Sequence, residues 1–128
     1  MTLTIVDAMN VIGSRPQTRW WRDRGQAMRN FIEDLADWGE GLLDAGDDVL
    51  IVFDGYPVTG LEDARLPYLF AERPGPDGAD DEIVEIVQED EDPASIVVIT
   101  SDAGLRSRVT LLGTEVVGAS TLLRQIPR

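Results

Sequence analysis

The chain has 128 residues, of which 43% are hydrophobic and 27% charged, a composition typical of one compact soluble domain. It contains no Cys and no His, and because Lys is also absent, all 11 basic residues are Arg. These absences exclude disulfides, thiolate nucleophiles, Ser-His-Asp triads, HExxH zinc sites, Schiff-base chemistry and Walker A loops. Carboxylates, hydroxyls, Asn and Arg remain for chemistry.

The negative charge is concentrated in the middle of the chain. Sixteen of the 24 acidic residues lie within residues 44–92, together with only two Arg, whereas residues 1–30 and 93–128 are each net positive. This balance argues against loose, charge-driven binding to nucleic acid. It is compatible with a metal-bridged site, because a divalent ion reverses the local electrostatics of an acidic pocket. With no secretory signal pattern and no apolar run approaching 18 residues, we expect a cytoplasmic protein without a membrane segment.

Apolar runs separated by turn residues predict alternating strands and helices in the first half of the chain. The strand segments are rich in Val, Ile and Leu, and the helical segment has apolar residues with a period of 3.6. In order, these elements are a strand over 3–6 that ends at Asp7, a helix from about Gly25 to Asp44, a strand over 49–53 closed by Asp54, and a weaker strand over 67–70.

The second half continues this alternation after a Pro- and Gly-rich loop over 73–78. Its first helix opens with an acidic turn, where carboxylates complement the helix dipole. The predicted elements are a helix that opens at 79–82 and carries apolar residues to 87, a strand over 96–99, a helix from about 103 to 112, a strand over 115–117, and a helix over 120–126.

Strands that are apolar on both faces and separated by helices indicate a mainly parallel sheet covered on two sides, hence a three-layer α/β fold. Ligands of such sheets bind beyond the carboxyl ends of the strands. Asp7, Asp54 and Asp102 each follow a strand at that edge. Asp80 and Asp81 open a helix that reaches the same edge if the preceding strand is parallel to the others.

Convergent carboxylates need a physical explanation. Two ionised carboxylates about 5 Å apart repel by roughly 3 kcal/mol at an effective dielectric near 20, so a cluster would protonate or destabilise the fold if no cation were bound. Oxygen ligands without His or Cys select Mg²⁺ or Mn²⁺, which promote phosphoryl hydrolysis. Taken singly, each Asp fits a turn or helix cap better than a ligand, and their common edge is what favours a metal site.

Four segments resemble successive motifs of the NYN domain, in the YacP-like branch of the PIN-like nuclease superfamily. They are residues 5–13 (IVDAMNVIG), 52–55 (VFDG), 79–84 (ADDEIV) and 98–102 (VITSD). The resemblance extends over roughly residues 3–124 and implies a five-stranded Rossmannoid sheet ordered 3-2-1-4-5, with metal-dependent RNA cleavage. Carried over by position, it implies a metal site of Asp7, Asp54, Asp80 and Asp102, with Asp81 as an auxiliary member and Asn10 as a polar positioning residue.

The predicted activity is that of a Mg²⁺- or Mn²⁺-dependent endoribonuclease. An activated water would attack in line with the leaving 3′ oxygen and leave a 5′-phosphate, with Asp7 and Asp102 holding the principal ion. Asp54 with Asp80 or Asp81 would orient waters or a second ion. Two alternatives stay open at this point: a non-catalytic RNA-binding or ribosome-associated module, and a metal-dependent phosphatase.

An RNA-binding surface is predicted in the loop after the first strand, where arginines surround two tryptophans. Arg binds phosphate through a bidentate fork and exposed aromatic rings stack unpaired bases, so we expect single-stranded RNA as the partner. One or both tryptophans covering the core is the alternative. We expect a monomer or a homodimer. The predicted substrate-binding residues are Arg15, Arg19, Trp20, Trp21, Arg22, Ser101 and Arg108.

Overall fold

The computed structural model describes residues 1–15, 19–71 and 78–126, with only the backbone of Trp20. A five-stranded, all-parallel sheet with the order β3-β2-β1-β4-β5 forms the middle layer, which confirms the predicted fold class. The strands are β1 (Leu3–Asp7), β2 (Asp48–Phe53), β3 (Tyr68–Phe70), β4 (Ile96–Ile99) and β5 (Glu115–Val117). Most of the loop predicted over 73–78 lies outside the described residues.

Helices cover both faces of this sheet. The helices are α1 (Ala8–Gly13), α2 (Arg24–Asp44), α3 (Gly78–Glu89), α4 (Ala103–Thr110) and α5 (Ala119–Leu123), and short 3₁₀ turns span Trp20–Arg22 and Pro93–Ser95. Buried side chains of α1, α2 and α5 pack on one face, and those of α3 and α4 pack on the other. None of the helices in the described part of the chain is long and apolar enough to cross a membrane.

The strands are mainly apolar because both faces of the sheet are covered. Successive side chains of a strand point to opposite faces. Ile5 therefore belongs to the core under α3 and α4, whereas Val6 belongs to the core under α1 and α2. Both are fully buried. This two-sided burial explains why the sequence shows continuous apolar runs instead of an alternation of apolar and polar residues.

The segment after β1, which the sequence predicted as a loop, begins with helix α1. The helix has only six residues, and four of them, Ala8, Met9, Val11 and Ile12, are buried. Isolated helices of this length are not stable in water, so packing against α2 and α5 stabilises this one. No periodic pattern of useful length exists in six residues, which is why the helix was missed.

Helix α2 lies very close to the segment that connects β2 to β3. The Asp23 side chain caps the start of α2 by accepting a hydrogen bond of 3.0 Å from the Gln26 N–H. Further along, Gly39 faces Leu66, and a Cβ added to Gly39 would lie 2.6 Å from both Leu66 terminal methyl groups. Because Leu66 is fully buried, its side chain has little room to move away.

This close contact predicts opposite effects of the same substitution at two positions of α2. Gly41→Ala should raise the free energy of unfolding by about 0.5 to 1 kcal/mol, because Ala favours the helix and the position is open. The free energy of unfolding of Gly39→Ala should be about 1 to 3 kcal/mol lower than that of Gly41→Ala, because the new methyl group overpacks the contact with Leu66. Urea unfolding measures both variants. Equal stabilisation by the two substitutions would contradict the close packing.

Candidate functional site

The carboxyl ends of the three central strands bring three aspartates to one edge of the sheet. Asp7 is the last residue of β1, the middle strand, and pairs in register with Val52 of β2. Asp54 follows β2 directly, and Asp102 comes three residues after the end of β4. The strand order therefore places Asp7 between the ends of the strands that lead to the other two.

Asp7 is the buried centre of this edge. Only 4% of the residue is exposed. Burial raises the pKa of Asp7 to about 7, and the hydrogen bond from Thr100 opposes that rise. The negative charges of Asp80, Asp54 and Asp102 contribute smaller parts of this rise, in that order of importance. These three carboxylates are therefore close enough to Asp7 to act on its charge.

The hydroxyl of Thr100 connects Asp7 to the segment that carries Asp102. Its Oγ1 donates a hydrogen bond of 2.7 Å to Asp7 Oδ2 and accepts one of 3.1 Å from the Asp102 N–H. Thr100 is fully buried, so both bonds are shielded from water. A hydroxyl has a single proton, so when Thr100 donates it to Asp7, the hydroxyl oxygen can only accept the hydrogen bond from the Asp102 N–H. Thr100 thus holds one Asp7 oxygen and leaves the other for a second partner.

Helices α3 and α4 begin at this same edge. Asp102 caps α4, because its Oδ1 accepts a hydrogen bond of 2.9 Å from the Leu105 N–H. Asp80 and Asp81 lie in the first turn of α3. Asp81 forms an ion pair with Arg108 of α4 at 2.9 Å, and both side chains are partly exposed. This pair engages Asp81 Oδ1 and Arg108 NH1, so the auxiliary role predicted for Asp81 and the substrate contact predicted for Arg108 would have to use their other polar atoms.

Asp54 is held through its backbone. Arg24, at the start of α2, donates a hydrogen bond from NH2 to the Asp54 carbonyl oxygen. Burial raises the pKa of the Asp54 carboxyl group, and the positive charge of Arg24 opposes this rise. Gly55 has φ of +83°, and a Cβ added there would lie 2.5 Å from Arg24 NH2. Glycine therefore allows both the turn and the close approach of the guanidinium group.

Asn10 and Ser101 connect helices around the site. Asn10 Oδ1 accepts a hydrogen bond of 2.8 Å from the Ser101 N–H, which ties α1 to the segment after β4. The Ser101 hydroxyl accepts a hydrogen bond of 2.9 Å from the Ala119 N–H at the start of α5. The hydroxyl that donates to the inner carboxylate of Asp7 is that of Thr100. Asn10, three residues after Asp7, thus fixes α1 relative to the segment after β4, as the predicted positioning role requires.

The basic segment between α1 and α2 is divided between a buried and an exposed part. Arg15 is the buried part: its side chain is 10% exposed, it pairs with Asp34 at 3.0 Å, and it lies over the Phe31 ring. This placement argues against the predicted role of Arg15 in binding substrate, because its charge is already matched on α2. Arg19, Trp21 and Arg22 are exposed as that prediction requires, and the side chain of Trp20 lies outside the described residues.

The donor chemistry of this edge fits a hard divalent cation. The four predicted ligands, Asp7, Asp54, Asp80 and Asp102, offer only carboxylate oxygens. The raised pKa of Asp7 shows that the buried negative charge lacks compensation, which a cation would supply. In the conformation described, no three acidic side chains of residues 1–15, 19–71 and 78–126 are close enough together to hold an ion. Binding therefore requires these side chains to turn toward each other.

Sequence reasoning missed two residues that position the aspartates, Thr100 and Arg24. Thr100 lies two residues before Asp102, so its place at a strand end was visible while its hydrogen bonds to Asp7 and Asp102 were not. Arg24 follows the predicted substrate-binding residues 19–22 in the sequence, and its contact with Asp54 spans 30 residues. A contact of this separation has no local signal in the sequence.

The charge of Asp7 predicts a pH-dependent effect of Asp7→Asn on stability in EDTA. A pKa of about 7 in the folded protein, against 3.8 for the free side chain, means that ionisation of Asp7 destabilises the fold as pH rises from about 4 to about 7. Asn carries no charge, so the variant should gain stability over the parent protein across this range. The gain should approach an upper limit of about 4 kcal/mol above pH 7.

Thermal and urea unfolding at pH 4, 5.5 and 7.5 in EDTA measure this difference. A difference between variant and parent that stays constant over the three pH values would contradict the raised pKa of Asp7. The exposed Asp92→Asn provides the matched control, and it should show no such trend.

Comparison with known proteins agrees with this architecture. The YacP-like NYN domain matches residues 4–128. Crystal structures of Rae1 (YacP) from Bacillus subtilis superpose on the chain with a TM-score of 0.75 at 27% identity, covering 98% of this chain and 73% of that one. Its W164L mutant gives a TM-score of 0.73 at 25% identity, with coverages of 98% and 74%. No curated protein sequence matches the chain. With its motifs, its sheet order and this match over nearly its whole length, the chain belongs to the YacP-like NYN domain family.

Proposed function

We propose that this protein is a metal-dependent endoribonuclease that hydrolyses phosphodiester bonds of single-stranded RNA. The observation that carries the proposal is the buried Asp7 carboxylate at the centre of the carboxyl edge, with Asp54, Asp80 and Asp102 acting on its charge. Membership of a nuclease-like family supports the same reaction class. The RNA partner, a link to the ribosome, a cytoplasmic location and the oligomeric state stay predictions.

Each residue of the site would have a role that follows from its position. Asp7 and Asp102 would hold Mg²⁺ or Mn²⁺, and Asp54 with Asp80 would orient waters or a second ion. When bound, such an ion lowers the pKa of a water molecule and stabilises negative charge on the phosphoryl oxygens. Thr100 keeps Asp7 Oδ2 engaged, so the Asp7 Oδ1 atom is the one available as a ligand. Asp102 caps α4 with Oδ1 and has its Oδ2 for the same purpose.

No protein nucleophile is required in this scheme. The attacking water would displace the 3′ oxygen of the preceding nucleotide in line and leave a 5′-phosphate on the following one. Arg24 would hold Asp54 through its backbone carbonyl and keep that carboxyl group ionised by opposing the effect of burial on its pKa. Asn10 would fix α1 against the segment after β4, which carries Asp102.

One cleavage assay tests the proposal. Labelled single-stranded RNA is incubated with the protein and Mn²⁺ or EDTA, together with Asp7→Asn and the matched control Asp92→Asn. We expect cleavage with Mn²⁺ alone, 5′-phosphate products, and a loss of about 100-fold or more in Asp7→Asn because the principal ligand is gone. Asp92→Asn, which changes an exposed residue far from the site edge, should cleave like the parent protein.

Other outcomes decide against the proposal. Cleavage in EDTA, or full activity of Asp7→Asn, would contradict the metal mechanism. RNA binding without any cleavage would indicate the non-catalytic RNA-binding module. Turnover of a chromogenic phosphate ester with intact RNA would indicate a phosphatase.

Thr100 should act on the chemical step and leave RNA binding unchanged. Thr100→Val keeps the shape of the side chain but removes both hydrogen bonds, so we expect kcat to fall about 10-fold with KM for RNA unchanged. Thr100→Ser keeps the hydroxyl and should retain most of the activity. Steady-state kinetics of both variants measure the effect. Equal losses in the Val and Ser variants would show that Thr100 acts only through packing.

A further inference from the structure

Two aromatic rings stand out at the edge of the sheet that carries the aspartates. Among the described residues, four large hydrophobic side chains are strongly exposed: Met1, Trp21 (64%), Tyr56 (87%) and Leu111 (88%). Met1 precedes β1, and Leu111 follows the last turn of α4, so both lie toward the amino edge of the sheet. Trp21 and Tyr56 lie toward the carboxyl edge. The exposed aromatic residues are thus on the side of the site, and the aliphatic ones are on the opposite side.

A hydrogen bond connects the segments that carry these two rings. Arg24 donates to the Asp54 carbonyl oxygen, and Trp21 comes three residues before Arg24 while Tyr56 comes two residues after Asp54. Between Asp54 and Tyr56, Gly55 makes a tight turn with φ of +83°, over which the Arg24 guanidinium group packs. Trp21 and Tyr56 therefore both flank the Asp54 side of the site.

The charge of the protein determines how RNA can bind here. A net charge of −13 gives little affinity from phosphate contacts and counterion release, which dominate most binding to nucleic acid. Stacking of bases on aromatic rings does not depend on net charge, and it accepts every base because each has a π face. Arg19 and Arg22 beside Trp21 are exposed and supply the few positive charges that a backbone passing the rings would meet.

We propose that Trp21 and Tyr56 form a base-stacking pair that holds unpaired nucleotides of the RNA on the Asp54 side of the site. This inference rests on the proposed ribonuclease function and names the side chains that would hold its single-stranded substrate. In a duplex, the faces of the bases are covered by their neighbours, so the rings select single strands. Because the affinity comes from stacking, it should depend only weakly on salt.

The test measures binding by fluorescence anisotropy in EDTA, with a labelled ten-nucleotide single-stranded RNA, its duplex, and an abasic oligomer of the same length. Tyr56→Ala and Trp21→Ala should each raise Kd for the single strand about 5- to 100-fold. Tyr56→Phe keeps the ring and should stay within about twofold of the parent protein. The matched control is Leu111→Ala, which truncates an equally exposed side chain at the opposite edge and should leave Kd unchanged.

The abasic oligomer separates stacking from an indirect effect on the fold. It should bind weakly to the parent protein, and Tyr56→Ala should weaken it no further, because it has no bases to stack. The stabilisation by Mn²⁺ in thermal unfolding should be the same for Tyr56→Ala and the parent protein, which shows that the aspartates are intact.

The outcomes distinguish this inference from the proposed function. If Tyr56→Ala and Leu111→Ala bind the single strand equally well, or the parent protein binds duplex and single strand alike, the stacking pair is refuted while metal-dependent cleavage stands. If the parent protein cleaves no RNA but Tyr56→Ala still weakens binding of the single strand, the nuclease proposal is refuted and the stacking pair stands. A parent protein that binds no single-stranded RNA in EDTA refutes the stacking pair, and the cleavage assay with Mn²⁺ then decides the nuclease proposal separately.

Discussion

The buried carboxylate of Asp7 is the constraint around which the candidate site is organised. Asp7 ends the central strand of a parallel sheet that is covered on both faces, so its side chain cannot reach water as an ordinary surface carboxylate does. Three more carboxylates act on the same charge. A protein gains no stability from such an arrangement, since the desolvation of a charge and the repulsion between like charges both oppose folding. The proposed cation site would account for this arrangement.

The rest of the site holds these carboxylates in place. One hydroxyl, that of Thr100, bonds both to Asp7 and to the backbone of Asp102, and one guanidinium group, that of Arg24, holds the turn that carries Asp54. Ionisable groups with raised pKa values that gather in one place are typical of functional sites. Here the supporting residues come from α2 and from the end of β4, elements whose packing against the sheet is set by the two hydrophobic cores.

Much of the fold could be predicted from the sequence because its signals are local. Strands such as 96–99 and the helix from Arg24 to Asp44 show uninterrupted apolar runs or a clear helical period, and the alternation of strands and helices leads to a parallel sheet. Helix α1 could not be predicted, since burial in the tertiary structure stabilises its six residues. The position of the aspartates at one edge of the sheet could be predicted, because parallel strands end at the same edge. The pairing of Arg15 with Asp34 and of Arg108 with Asp81 depends on side-chain contacts that no spacing reveals.

An acidic protein that acts on RNA needs affinity from a source other than net charge, and a cation between carboxylates and phosphate provides one such source. The most direct test is a crystal structure of the protein with Mn²⁺, with data collected at the manganese absorption edge. We expect an anomalous peak within about 2.5 Å of an Asp7 oxygen, the reach of a hard-ion ligand, shared with at least one of Asp54, Asp80 and Asp102. Saturating Mn²⁺ with no peak at Asp7, or with peaks only at other acidic surfaces, would contradict it.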